Sequence, residues 1–347
     1  MTVINARGRR LKHWGAALVM VAPLLGMSGV AKAAPDGFAP ATHPETAKLV
    51  DELVAKGLDR DRVTELMNQA DYSQKVLDAM SRPAEGHLRW DQYRAIFMKQ
   101  SRIEAGVKFI AEHRETFDRA QAEYGVPPEV IAAIIGVETF FGKHTGTHRV
   151  IDSLSTLAFD HPRRGKFFRG ELAAFLQLTI EQGIDPLSIK GSYAGAMGYP
   201  QFIPTSYQAY AVDFDGDGVR DLWHNPVDAI GSVGNYFARH GWKAGAPVVS
   251  AADGPGTPPS SVTFNKTQKP YMSVSALEAA GVQVADDVAG NTQVIPLALD
   301  LKQGYRYAVG YDNFYVITRY NHSHMYAMAV DELSRAIKRR LEDGGAG

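Results

Sequence analysis

One carboxylate in this chain stands where a charge is hard to keep. In IIGVETFFG, residues 134–142, Glu138 is the only ionisable side chain. Charged side chains are seldom fully buried without a partner. Pro127-Pro128 followed by Glu129 is a helix start, and Gly142 is the expected stop. Between them Ile131, Ile134, Ile135 and Glu138 fall at i, i+3, i+4 and i+7, so the carboxylate shares the face the isoleucines bury. Desolvation disfavours its charged form, and so does the negative end of the helix dipole, so both are expected to raise its pKa. A carboxylic acid that keeps its proton near neutral pH is what a general acid needs to protonate a leaving oxygen. On this segment alone a structural Glu tied to Arg or Lys, or one pointing out of the helix end, is the stronger reading.

Three further clusters could do chemistry. In HPRRGKFF, 161–168, Arg163 and Arg164 stand side by side, either as a solvated basic turn or as a clamp for an anionic group. GSYAGAMGYPQFIPTSY, 191–207, strings Ser192, Tyr193, Gln201 and aromatics among small residues and two prolines. Small residues let a ligand approach the backbone, aromatics stack on sugar faces, and an amide both donates and accepts; a tightly packed connection between helices is the competing reading.

DFDGDGVRDLW, 213–223, matches much of the helix-loop-helix calcium pattern. Asp213, Asp215, Asp217 and Asp221 fall at loop positions 1, 3, 5 and 9, Val219 offers its carbonyl, and Gly218 makes the bend. Position 12 is His224 in place of the usual Glu, and Asp228 is a later carboxylate that could replace it. The set leaves no open position, so a bound Ca²⁺ is expected to be structural. An Asp/Gly-rich surface turn is the alternative.

The elements that must position these groups are mostly helical. With 45% hydrophobic and 22% charged residues over 347 positions, a folded globular chain of one large domain or two to three smaller ones is expected. TAKLVDELVAKG, DRVTELMNQA and the run from Arg94 to Gly125 carry helical spacing, the last as a single long amphipathic helix. ADGPGTPPSS at 252–261 breaks that texture, and SVTF, TQVIPLAL, YRYAVGY and FYVITRY follow as β-like runs. MYAMAVDELSRAIKRRLE closes the chain as a helix packed back on the centre.

At the start, Arg7, Arg9, Arg10 and Lys12 precede an apolar run that ends in Ala31-Lys32-Ala33, so residues 1–33 are an expected secretory signal, with an uncleaved anchor over 14–30 as the alternative. Without them the chain holds 32 Lys and Arg against 38 Asp and Glu, which excludes a basic footprint for nucleic acid. It has no cysteine, hence no disulfide and no lipid-modified N-terminal Cys.

Together GVETFFGKHTG, FDHPRRGKFFRGEL, GSYAGAMGYPQFIPTSYQAYAVDFDGDGVRDLW, DAIGSVGNYFARHGW and VITRYNHSHMYAMAV resemble the B-type lytic transglycosylases, bacterial enzymes that cut the glycan of peptidoglycan. The resemblance runs over most of residues 40–340. It implies an α+β, mainly α fold: a signal (1–33), a linker (34–44), an N-terminal helical part (45–124), a lysozyme-like core with the calcium loop (125–245), a small β-rich insertion (246–312) and a segment returning to the core (313–347). It implies Glu138 as the single acid/base, Ser192 near the reacting sugar, and Gln201, Tyr236, Tyr320 and Asn321 along the cleft. Arg163 and Arg164 match a pair that holds the muramyl or peptide part. Asp213, Asp215, Asp217, Val219, Asp221 and Asp228 match the metal loop. The implied partner is exported, periplasmic glycan, with other wall enzymes open as partners, Ca²⁺ the cofactor and no organic cofactor. Two other functions stay open: a hydrolysing muramidase using Asp152 or Asp160 to activate water, and a calcium-stabilised wall-binding protein that does not cleave.

Overall fold

The computed structural model describes residues 37–81, 88–285 and 287–344; the leader expected at 1–33 lies outside the described residues. Of the expected linker, 37–43 are fastened down. Phe38 is fully buried, its ring 5.5 Å from that of Phe159 and 5.7 Å from that of His43.

Helices α1 (Pro44–Val54), α2 (Arg60–Asn68) and α3 (Gln74–Ser81) open the body. His43 and Asp59 accept the N–H groups of Thr46 and Arg62, which satisfies orphan donors at the starts of α1 and α2. The single long helix expected over 94–125 is corrected to three: α4 (Trp90–Phe97), α5 (Gln100–Glu112) and α6 (Arg114–Tyr124). Neither break coincides with Gly or Pro. A straight helix of that length would run ~48 Å, whereas bends at Met98–Lys99 and His113 let Tyr93, then Phe109 and Ile110, then Phe117 and Ala120 all be buried.

Next come α7 (Pro128–Thr139), β1 (His148–Arg149), α8 (Val150–Asp160), α9 (Gly165–Glu181), β2 (Lys190–Gly191), α10 (Pro204–Tyr210) and α11 (Pro226–Arg239). β1 and β2 pair antiparallel, His148 opposite Gly191, and so lay the loop after α7 beside the stretch that begins at Gly191. The small sheet holds β3 (Val249–Asp253), β4 (Met272–Ser273), β5 (Gln283–Val284), β6 (Gln293–Asp300) and β7 (Tyr305–Gly310), with α12 (Val274–Ala279) between β4 and β5. Its order is β4-β6-β7-β3-β5, antiparallel throughout, with Leu297 opposite Ala308. β6 is buried on both faces. Ile295, Leu297 and Leu299 join the main core, while Val294 and Ala298 join a second cluster with Val274, Leu277 and Tyr307. The sheet thus lies flat against the helical body.

Two expected strands are corrected. SVTF at 261–264 is irregular; Asn265 beyond it stands in for a strand, its amide exchanging hydrogen bonds with the Ala298 N–H and C=O at 3.0 and 2.9 Å. FYVITRY lies in helix α13 (Asp312–Tyr320), followed by α14 (His324–Gly344). Its β-branched and aromatic residues favour strands, but Phe314, Ile317 and Thr318 are fully buried at helical spacing, and packing overrides propensity.

α7 is the axis of the molecule. Every residue from Val130 to Gly136 is buried, and α5, α6, α11 and α14 pack round it. The expected single buried face is therefore corrected to burial on all sides, the condition of a helix that is apolar all round. The architecture is α+β and mainly α, as expected from the sequence.

Candidate active site

Glu138 occupies the last turn of α7 and is half-buried. The helix stops earlier than expected, at Thr139. Phe140 (φ 51°), Phe141 (φ 58°) and Gly142 (φ 82°) then run consecutively through the left-handed region. For the two phenylalanines this costs roughly 1–2 kcal/mol each. Packing enforces it. Phe141 fills the space left by two glycines, and a Cβ on Gly136 or Gly106 would come within 2.6 or 3.0 Å of its Cζ. Thr139 adds a brace: its hydroxyl oxygen accepts the Gly142 N–H at 3.0 Å and lies 3.0 Å from the Tyr199 carbonyl.

A stack of tyrosines from later helices begins at the carboxylate. Tyr326, on α14, donates its phenol to Glu138 Oε1 at 2.5 Å. Its ring stacks on Tyr320, centroids 6.4 Å apart and planes 11° apart. Tyr320 in turn donates to the Pro200 carbonyl at 2.5 Å and meets Tyr236 edge-on at 4.8 Å. Tyr236, on α11, donates to the Arg319 carbonyl at 2.6 Å and stacks on His240 at 4.0 Å. All three tyrosines are buried. Burial first, then the nearby Glu138 carboxylate, pushes the phenols of Tyr320 and Tyr326 well above the ordinary value of 10, so both remain donors.

The 191–207 stretch is held against this cluster by its backbone. Ser192 accepts the Ala196 and Ala194 N–H groups on its hydroxyl at 3.0 and 3.3 Å. Gln201 is also left-handed (φ 49°), and its amide donates to the Thr145 and Gly198 carbonyls at 3.1 and 2.9 Å, tying the loop after α7 to the turn before Phe202. Asn321 follows Tyr320 in extended backbone and is half-buried. The structure thus brings Glu138, Gln201, Tyr236, Tyr320 and Asn321 to one end of the helical body, with Ser192 directly after β2.

Arg163 and Arg164 lie at the turn into α9. Arg163 is exposed, and Arg164 lies over the rings of Phe167 and Phe168, 4.5 and 5.0 Å from their centroids. Burial lowers the Arg164 pKa, with Glu171 opposing. Of the carboxylates considered for a second catalytic role, Asp152 is chelated by Arg149, Nε to Oδ2 at 2.8 Å and Nη2 to Oδ1 at 2.7 Å, and also accepts the Asp71 N–H. Reading the sequence missed Tyr326. It lies in the HSHMYAMAV motif, and only the packing of α14 on α7 singles it out.

In the acidic loop the ligand atoms of Asp213, Asp215 and Asp217 lie within 4.8 Å of one another. Asp213 closes the loop by accepting the N–H groups of Gly216, Asp217 and Gly218 at 2.8, 3.1 and 2.8 Å. Asp215 accepts from Asn225, and that hydrogen bond holds its pKa below the ordinary value. These hard oxygens at alternating positions fit a calcium ion. Val219 is exposed, its N–H donating to Asp217. Asp221 and Asp228 are oriented otherwise. Asp221 accepts the Trp223 and His224 N–H groups at 2.8 and 3.0 Å. Asp228 is fully buried and staples the loop from inside, accepting from Phe214 N at 2.6 Å and Asp221 N at 2.8 Å.

The Transglycosylase SLT domain family matches residues 41–335. Membrane-bound lytic murein transglycosylase B of Escherichia coli (strain K12) is 44% identical over 309 residues, which is 86% of this chain and 83% of that protein. Among solved structures, soluble lytic transglycosylase SltB1 of Pseudomonas aeruginosa superposes with a TM-score of 0.80 at 49% identity, covering 86% of this chain and 99% of that one. The Escherichia coli lytic transglycosylase Slt35, solved in complex with calcium, gives 0.81 at 43%, covering 88% and 96%. SltB3 of Pseudomonas aeruginosa, solved in complex with NAG-anhNAM-pentapeptide, gives 0.74 at 29%, covering 84% and 78%. The lysozyme-like, mainly helical core expected from the sequence is shared with these structures. The chain belongs to the SLT-domain lytic murein transglycosylases, enzymes that act on peptidoglycan.

Proposed function

We propose that the chain cuts the β-1,4 bond between N-acetylmuramic acid and N-acetylglucosamine without water, leaving 1,6-anhydromuramyl ends, and that Glu138 serves as acid and then base. The observation that carries this is Glu138 at the end of a fully packed helix, its Oε1 bonded to the Tyr326 phenol. Protonated Glu138 gives its proton to the glycosidic oxygen, and the N-acetylglucosamine leaves with the bonding pair. The 2-acetamido oxygen of the muramyl residue attacks C1. Glu138, now a carboxylate, takes the proton of the C6 hydroxyl, whose oxygen closes on C1 and displaces the acetamido oxygen. One C–O bond breaks, one forms within the sugar, and Glu138 ends protonated as it began. A typical glycosidase needs a second carboxylate for this work; here the sugar supplies the nucleophile. The Tyr326 hydroxyl stabilises the carboxylate that exists between the two proton transfers.

Ser192, Gln201 and Asn321 contact substrate in this reading, and buried Tyr236 and Tyr320 hold the wall of the cleft. Arg163 and Arg164 take an anionic muramyl or peptide group further along the strand. Calcium at Asp213, Asp215 and Asp217, an ion with which the Escherichia coli relative was solved, neutralises mutually repelling carboxylates and stiffens the loop leading into α11. Binding through Asp221 or Asp228 requires exchange of their amide hydrogen bonds for the ion. The action is on exported wall in the periplasm, with residues 1–33 as the export signal. No described helix is long and apolar enough to cross a membrane.

Digestion of purified peptidoglycan followed by mass spectrometry of the muramyl ends tests the reading. Anhydro ends are expected; reducing ends would establish a hydrolase, and retained wall binding without soluble product a non-cleaving protein. Glu138→Gln should lower release by about 10²- to 10⁴-fold with wall binding kept, and near-wild-type activity in that variant would remove Glu138 from the mechanism.

A further inference from the structure

Among the described residues, one cation near the Glu138 cluster has no counter-charge. Arg102 lies in the first turn of α5, half-buried, its guanidinium carbon 5.1 Å from the centroid of Phe97 and 5.2 Å from that of Phe140. Its Nε and Nη1 atoms are shut off from solvent and have no hydrogen-bond partner among the described residues. Glu104, two residues on, accepts instead from Gln100. Burial is the sole cause acting on the Arg102 pKa, and it lowers it; no neighbouring carboxylate acts in the opposite direction. An aromatic sandwich supports a cation by roughly 0.5–2 kcal/mol, but it offers N–H groups no acceptor. Leaving them unmet while desolvated costs about 1–3 kcal/mol or more.

A second cation shares the same ring. The Lys143 ammonium lies 4.8 Å from the centroid of Phe140, is exposed, and forms no ion pair among the described residues. Phe140 directly follows the last turn of α7, two residues after Glu138. On the other side of Arg102, Phe97 meets Tyr93 at 5.2 Å, and Tyr93 is close enough to influence the phenol of Tyr326.

From this geometry we infer that Arg102 and Lys143 form an anion site beside Glu138 that receives a carboxylate borne by the muramyl residue. The inference rests on the transglycosylase reading above. The sugar rings of the glycan are neutral; its carboxylates hang from the muramyl lactyl group, either as the free lactyl acid or through the stem peptide attached to it. A carboxylate arriving beside Arg102 and Lys143 is held by both charges. The site is separate from Arg163 and Arg164, which stand at the turn into α9.

The test compares wild type, Arg102→Leu and Lys143→Gln on three substrates: native sacculi, sacculi freed of stem peptide by an amidase, and sacculi whose carboxylates are amide-blocked. Both variants should raise KM on native sacculi by about 3- to 10-fold, roughly 0.7–1.4 kcal/mol, with kcat within twofold. The difference from wild type should vanish on blocked sacculi and shrink with added salt. A defect that persists on stem-free sacculi assigns the lactyl carboxylate; one that disappears there assigns the stem. Equal losses on native and blocked sacculi would reduce Arg102 to a prop for the Phe140 turn and overturn the site. So would unchanged KM at a wild-type melting temperature. Co-sedimentation of the same proteins with native and blocked sacculi decides the anion site independently of cleavage. Failure of wild type to produce anhydro ends from any sacculus strikes the Glu138 mechanism instead.

Discussion

The end of α7 and the loop between α10 and α11 both concentrate negative charge, by opposite physical means. At α7 a single carboxylate is half-buried and meets a tyrosine hydroxyl at 2.5 Å. In the loop Asp213, Asp215, Asp217 and Asp221 stand within nine residues, the middle two exposed, and their oxygens are met by backbone N–H groups of the same turn. A phenol donor supports a carboxylate without cancelling its charge, so the proton can still come and go. Crowded carboxylates in water need a cation, and a hard divalent one neutralises several at once. The first arrangement suits proton transfer and the second suits metal binding. The two are linked through α11, which starts just beyond the loop and carries Tyr236 into the tyrosine stack.

Removing the tyrosine donor is the sharpest way to break this contrast. Tyr326→Phe keeps the ring and its stacking on Tyr320 but takes the hydrogen bond from Glu138. A hydrogen bond to a charged group contributes about 1.5–3 kcal/mol, so kcat on peptidoglycan should fall roughly 10- to 100-fold, with the melting temperature little changed. Unchanged kcat would make Tyr326 a packing residue only.

The loop should respond in stability where α7 responds in rate. An ion present at a hundred times its dissociation constant stabilises by about 2.7 kcal/mol, so chelation should lower the melting temperature by several degrees. Asp213→Asn should erase that difference, because Asp213 faces the other two carboxylates and also closes the turn. Equal melting with and without chelator would remove calcium from the account.

What could be read beforehand divides along the same line. The loop was legible because its carboxylates are local: alternating Asp and a Gly bend within nine residues make a pattern without any tertiary structure. Glu138 was legible as an anomaly, a charge among isoleucines, but its partner was not. Tyr326 lies 188 residues away, and only the return of α14 to α7 brings the two together. The same long-range packing explains the misread elements. FYVITRY has strand-like composition, yet its buried residues recur at helical spacing. The segment from Arg94 to Gly125 breaks at Lys99 and His113 because its residues must wrap a central helix. Arg102 drew no notice for a related reason: a lone arginine on a helix is ordinary until its neighbours prove to be two phenylalanines and no carboxylate.

A last comparison sets the wall behind Glu138 against the rest of the core through pH. His324 opens α14, two residues before Tyr326, and burial lowers its pKa from 6.5 to about 4. The positive end of the α14 dipole also disfavours the charged imidazole. A folded-state pKa below the unfolded value means the unfolded chain takes the proton first. His324 therefore contributes stability that is intact above about pH 6.5 and is lost as pH falls toward 4, about 2 kcal/mol by pH 5. Asp331, on the same helix, titrates in this window with the opposite sign. Burial raises its pKa to about 6, so acid relieves a buried charge there. The informative quantity is thus the difference between wild type and His324→Gln in unfolding free energy from pH 7.5 to pH 5. The variant should lose about 2 kcal/mol less than wild type over that range. Parallel pH profiles would show that His324 is solvated in the folded protein and that the wall behind Glu138 is wetter than its packing implies.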